Sequence, residues 1–217
     1  MQFIDLKKQQ DKIRESLDAR IKSVLDNGQY ILGKEVNLFE ENLSQFADVK
    51  HSIGCSNGTD ALILALMALD IGPGDGVITV PFTYIATLEA IVSVGATPVL
   101  VDVYDSTFNI NPEEVEKAIN NSKVKIKAIM PVDLFGLPAR YRMINEIAKK
   151  YDIKVIGDAA QSFGASINNQ KIGSFADITT TSFFPAKPCF PAPRLFKPRF
   201  PIPPSDTNFP WTSTHAI

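Results

Sequence analysis

Apolar side chains recur every three to four positions along the first fifty residues, then bunch into short runs. Ile13, Leu17, Ile21, Val24 and Leu25 hold helical spacing, and DNGQ at 26–29 ends that helix. A second amphipathic helix is predicted from Val36, Phe39, Leu43 and Phe46, which fall on one stripe. From residue 51 the pattern changes to strands alternating with helices. It predicts a strand at HSIGCS (51–56), then a helix at TDALILALMAL (59–69), apolar on nearly every side and therefore expected to be buried. Next come strand GVITV (76–80), helix TLEAIVSV (87–94) and strand TPVLVDV (97–103). NPEEVEKAIN (111–120) opens as a helix does, with Asn111 as cap and Pro112 in the first turn. Strand KAIMPV (127–132), helix YRMINEIAKKY (141–151), strand KVIGD (154–158) and strand ITTTSFF (178–184) complete the run. β-Branched strands that do not alternate with polar residues, separated by helices, predict an α/β fold: a mainly parallel sheet sandwiched by helices.

The chain has 217 residues, enough for one sizeable α/β domain. Its net charge of −2 gives no reason to expect nucleic acid or an anionic membrane surface as a partner. No apolar stretch approaches the roughly 20 residues that cross a bilayer, and the N-terminus lacks a secretory layout. Cys55 and Cys189 read as two free thiols, which makes the cytoplasm the expected compartment. His51 and His215 stand apart, so no metal site is expected.

Three short stretches carry chemistry. In CSNGTDALILAL (55–66) a strand gives way to a helix through Gly58 and Thr59; backbone amides and the Thr59 hydroxyl there suit a phosphate, and equally suit plain capping. In KVIGDAAQSFGA (154–165) Asp158 ends a strand at the edge where parallel sheets bind ligands. It could hold a cationic ring nitrogen, with Gln161 offering a donor and an acceptor, or simply form a turn. In TSFFPAK (181–187) an apolar run of Phe183, Phe184 and Pro185 precedes Lys187. Such surroundings disfavour the ammonium and favour a lysine that forms an imine; a snorkelling lysine is the alternative. Ser182 could give the phosphate a second hydroxyl. Phe82 and Tyr84 in VPFTYIAT (80–87) could stack on a ring or pack in the core. Taken together, an anion cradle, a strand-end acid and a late lysine are the parts that pyridoxal phosphate (PLP) requires.

At these residues the chain resembles the DegT-type PLP-dependent nucleotide-sugar aminotransferases, of the aspartate-aminotransferase-like fold. The likeness runs through FIDLKKQQ, GQYILGKEVNLFE, SNGTDAL, GPGD, VPFTYIAT, GATPVLVDV, PVDLFG, GDAAQSFGA and TSFFPAKP, covering residues 1–188. NGQYILG, DAAQSFGA and TSFFPAKP are most similar to members that aminate UDP-linked keto-hexuronic acids for surface polysaccharides. The resemblance implies that Lys187 is the imine-forming lysine and proton shuttle, and that Asp158 pairs with the pyridine nitrogen. It implies that Gln161 bonds the ring hydroxyl, that Gly58, Thr59 and Ser182 hold the phosphate, and that Tyr84 stacks on the ring. Nucleotide-sugar and amino-acid substrates, glutamate usually the donor, and a homodimer are implied as well.

The chain departs from that pattern in three places. Gly76 and Gly157 stand where an acidic residue is common. The family continues past its lysine with roughly half a chain more, whereas here the likeness stops at Pro188. The implied domain at 1–188 is therefore an incomplete large domain of a fold-type I PLP enzyme with N-terminal helices, expected to bind PLP and turn over weakly or not at all. Residues 189–217 form a tail foreign to the family. Eight of the fifteen prolines fall between Pro188 and Pro210, so neither helix nor central strand can run through it. Its Phe190, Leu195, Phe196, Phe200, Phe209 and Trp211 are too apolar for an ordinary linker. A non-enzymatic α/β module with a proline-rich docking tail is the competing reading. A dinucleotide-dependent oxidoreductase lacks its G-x-G-x-x-G turn.

Overall fold

The computed structural model describes residues 5–184 and 187. The proline-rich tail, Pro185, Cys189 and His215 lie outside them. The described residues divide into two compact units, 5–54 with 184, and 55–183 with 187.

The first unit contains α1 (Leu6–Asn27) and α2 (Lys34–Ala47). The Asp5 side chain caps α1 at its start, and Gly28 ends it at φ 66°, a backbone state glycine adopts without steric cost. Neither helix buries a residue, so the two predicted apolar stripes are present but not sealed: Ile21 and Leu25 are 50% and 60% exposed. Arg20 pairs with Glu35 at 2.9 Å.

The second unit is the predicted α/β sandwich. Its elements are α3 (Gly58–Ala68), β1 (Asp75–Thr79), α4 (Ala86–Ser93), β2 (Thr97–Leu100), α5 (Pro112–Asn121), β3 (Lys125–Ile129), α6 (Tyr141–Tyr151), β4 (Lys154–Asp158), the small hairpin β5 (Ser166–Ile167) and β6 (Gln170–Lys171), and β7 (Ile178–Thr180). Five strands pair in the order β2-β1-β3-β4-β7, every pair parallel. Successive residues point to opposite faces. Val77, Ala128, Met130 and Ile156 pack with Leu62, Leu66, Ala90 and Ile91 of α3 and α4. Ile78, Ile129 and Val155 pack with Val115, Tyr141, Ile144 and Ala148 of α5 and α6. Chain direction across the sheet reverses after β2, so β1 and β3 flank the switch point whose carboxyl ends form a natural crevice.

Two expectations fail. Residues 51–56 form no strand, because Ile53 is 83% exposed and the Gly54 amide donates to the Glu40 carboxylate rather than to a neighbouring strand. Helix α3 is buried on one face only; Leu62, Ala65 and Leu66 are enclosed, whereas Leu64 and Met67 are 49% and 61% exposed. Composition overstated its burial, since an apolar helix needs cover on all sides and α3 has the sheet on one.

Candidate active site

The carboxyl edge of the sheet gathers most of the sequence-predicted residues. Asp158 ends β4 and is 5% exposed. Its Oδ2 accepts the Thr87 hydroxyl at 2.9 Å, and its Oδ1 accepts the Ala160 amide at 3.2 Å. Burial pushes the carboxyl up; the Thr87 hydroxyl, the Ala160 amide and the charge of Lys187 pull it back. Lys187, half-buried, therefore lies within electrostatic reach of Asp158. The two groups come from elements 29 positions apart in sequence and share one site because β4 and β7 are neighbours.

The anion cradle forms where α3 begins. Asn57 caps the helix by accepting the Asp60 amide at 2.9 Å, and Asp60 in turn engages the side chains of Asn57 and Ser56. The amides of Gly58 and Thr59 stand in the first turn, where no intrahelical acceptor exists. Ser182 sits directly against Gly58: a Cβ built on the glycine would lie 2.9 Å from the Ser182 Cβ and 3.3 Å from its hydroxyl. Only glycine permits that approach.

Gln161 is oriented by its neighbour. Its Oε1 accepts the Phe135 amide at 2.8 Å, which leaves the Nε2 end as the donor. Tyr84 does not pack in the core; it is 70% exposed. Phe82 packs in a cluster with Phe108, tilted at a ring separation of 5.2 Å, and Phe135, edge-on at 6.4 Å. The apolar wall before Lys187 is thinner than expected. Phe183 packs edge-on against Phe163 at 5.1 Å, but Phe184 is 65% exposed.

Two residues at this edge were not singled out from the sequence. Thr87 reads as an ordinary first-turn helix residue, and its link to Asp158 spans 71 positions. Asp133 reads as a turn former after a strand, yet it is fully buried. Gly157 faces the hydroxyl of Tyr141, which would stand 2.7 Å from an added Cβ. That hydroxyl lies beside the Asp133 carboxylate without well-formed hydrogen-bond geometry, and is the buried side-chain polar atom left without a partner among the described residues.

No helix among the described residues is long and apolar enough to cross a membrane, and no cluster of three metal-binding side chains occurs among them. The arrangement fits PLP: a helix N-terminus with a serine against it for the phosphate, a buried acid for a ring nitrogen, and an amine beside that acid.

Comparison with known proteins points the same way. The chain is 50% identical over 188 residues to the UDP-2-acetamido-2-deoxy-3-oxo-D-glucuronate aminotransferase of Pseudomonas aeruginosa, covering 87% of this chain and 52% of that protein. A DegT DnrJ EryC1 StrS aminotransferase from Brucella abortus matches in structure with a TM-score of 0.84 and 46% identity, over 87% of this chain and 52% of that one. The ntda structure from Bacillus subtilis, solved with bound cofactor PMP, matches with a TM-score of 0.78 and 35% identity, over 86% of this chain and 42% of that one. The chain spans about half the length of the curated relatives it matches. Relatives of this family transfer amino groups on sugars, and the family model matches residues 11–190. The chain belongs to the DegT/DnrJ/EryC1/StrS aminotransferase family.

Proposed function

We propose that this chain carries the cofactor-binding part of a PLP-dependent aminotransferase that moves nitrogen from an amino acid such as glutamate to a nucleotide-linked keto sugar, for surface polysaccharide synthesis in the cytoplasm. The observation that carries this reading is the charge of Lys187 acting on the buried Asp158 carboxyl, at the sheet edge where Gly58 and Ser182 close on the α3 N-terminus.

Each residue then has a task. The Gly58 and Thr59 amides and the Ser182 hydroxyl hold a phosphate. Asp158, kept ionisable by Thr87 and Ala160, accepts a proton-bearing ring nitrogen, and that nitrogen's positive charge removes the burial cost of the acid. Gln161 Nε2 donates to the ring oxygen, and the Tyr84 ring covers one face. When bound, PLP supplies an electron sink for negative charge at the α-carbon of the donor. Lys187 would be the amine that holds the cofactor, and its Nζ would carry the proton to and from that carbon.

Incubation with PLP, reduction with borohydride and peptide mass spectrometry test the reading. Pyridoxyl label is expected on Lys187 and is lost in Asp158→Asn. Label spread evenly over surface lysines, or unchanged in Asp158→Asn, would refute it.

A further inference from the structure

The loop between β3 and α6 carries a second buried acid that the proposed chemistry does not use. Asp133 is 0% exposed. Its Oδ1 accepts the Ala139 amide at 2.8 Å, and its Oδ2 accepts the Ser162 hydroxyl at 2.9 Å. Its amide donates to the Asp158 carbonyl at 3.0 Å, while the Asp158 amide donates to the Pro131 carbonyl at 2.9 Å. Asp133, in the loop past β3, is thus stitched through the backbone to Asp158 at the end of β4.

Their surroundings differ in sign. Asp158 feels the Lys187 cation and two hydrogen-bond donors. The groups acting on Asp133 are the Ala139 amide from its own loop, the Ser162 hydroxyl from the loop after β4, the Tyr141 hydroxyl from α6, and the like charge of Asp158 from β4. Two anions this deep are costly unless each is compensated, and neighbouring acids resolve the conflict by dividing their protons unequally. Tyr141 does not decide the matter: its hydroxyl is buried beside Asp133 and, as a donor, pulls the carboxyl down together with Ala139 and Ser162. What favours the proton is the full burial of Asp133, the lack of a cation among the groups acting on it, and its link to a second buried acid.

We propose that Asp133 and Asp158 form a split pair of buried carboxyls, in which Asp133 keeps its proton and Asp158 alone presents charge at the sheet edge. Asp133 is then a positioning residue. It braces the loops that hold Asp158 and Gln161, and it leaves one negative charge to match one ring nitrogen; that functional half rests on the PLP reading. Burial, reinforced by the Asp158 charge, pushes Asp133 up to about 7, so the arrangement holds below neutrality and gives way above it.

Infrared difference spectroscopy and thermal unfolding of the cofactor-free chain test the pair. A protonated-carboxyl carbonyl stretch is expected at about pH 5.5, absent above about pH 8, missing from Asp133→Asn and retained in Asp158→Asn. The unfolding midpoint of the wild type should fall as pH rises from about 4 to about 7, and Asp133→Asn should lessen that fall, Asp158 keeping its own share. Asparagine can accept the Ala139 amide and donate to the rotatable Ser162 hydroxyl. Ser162→Ala gives an independent arm: removing a donor from the anion should move the loss of the band upward by about one pH unit. A wild type without the band, an Asp133→Asn variant with the wild-type pH slope, or an unmoved transition in Ser162→Ala overturns the pair. None of these readouts uses PLP, so failure of Lys187 labelling sinks the cofactor reading and leaves this result standing.

Discussion

Thr87→Val tests whether the Asp158 carboxylate is held as the site requires. Thr87 is 1% exposed, and its hydroxyl donates to Asp158 Oδ2 at 2.9 Å. Valine keeps the shape and replaces the hydroxyl with a methyl group. Asp158 is then left with the Ala160 amide at 3.2 Å and the charge of Lys187. A hydrogen bond to a charged group is worth about 1.5–3 kcal/mol, equivalent to about one to two pKa units. The sign follows from linkage. Burial already sets the folded carboxyl above its unfolded value of 3.8, so stability is full below that value and is lost as pH rises through the folded one. The substitution pushes the folded value higher still, and its penalty is largest where Asp158 is charged. Urea unfolding followed by circular dichroism should show a loss of about 1 kcal/mol or less at about pH 4, from the neutral bonds to Asp158 and Thr83, and of about 1.5–3 kcal/mol at about pH 8, with Thr87→Ser restoring the wild type. An equal loss at both pH values would mark a packing defect and refute the reasoning, as would no loss at the higher one.

Three further outcomes are expected. Gly58→Ala places a methyl 2.9 Å from Ser182 Cβ, which must give way; saturation of Lys187 labelling by PLP should need about tenfold more cofactor, a shift of ~1.4 kcal/mol, while the helix itself holds. Leu66→Ala empties a fully buried position between α3 and the sheet and should cost about 2–5 kcal/mol by urea titration. Asp75 is held below the usual carboxylate range, first by the Gly72 amide at 3.0 Å and then by Lys127 at 3.2 Å. Its contribution is present above its unfolded value and lost as pH falls through the folded one, so Asp75→Asn should flatten the acid limb of the stability curve.

Local rules carried the sequence reading furthest where one element decides its own form. Asn111 and Pro112 start α5 as predicted, because a side-chain cap and a fixed φ act within one turn. Helix 141–151 and strand 154–158 match the observed bounds, their apolar periods being uninterrupted. Burial was less legible. Leu64 and Met67 are as apolar as Leu66, and only the position of the sheet decides which of them it covers. Gly58, Asp158, Gln161 and Ser182 stood out as candidates because strand ends and turns mark themselves with small or polar residues. Thr87 and Asp133 were not, because their roles lie in contacts with distant positions: Thr87 reaches Asp158, and Asp133 reaches Ser162, 29 positions away.

The bond from Thr87 to Asp158 has a consequence for the order in which the protein assembles. Helix α4 follows β1, and Asp158 arrives only after β3 and β4 have been laid alongside. Contacts so far apart in sequence form late, since the intervening chain must first surrender its freedom. A nascent or half-assembled chain therefore exposes an acid with no clasp and a lysine with no counter-charge. Vitamin capture would report that the last central strand has docked.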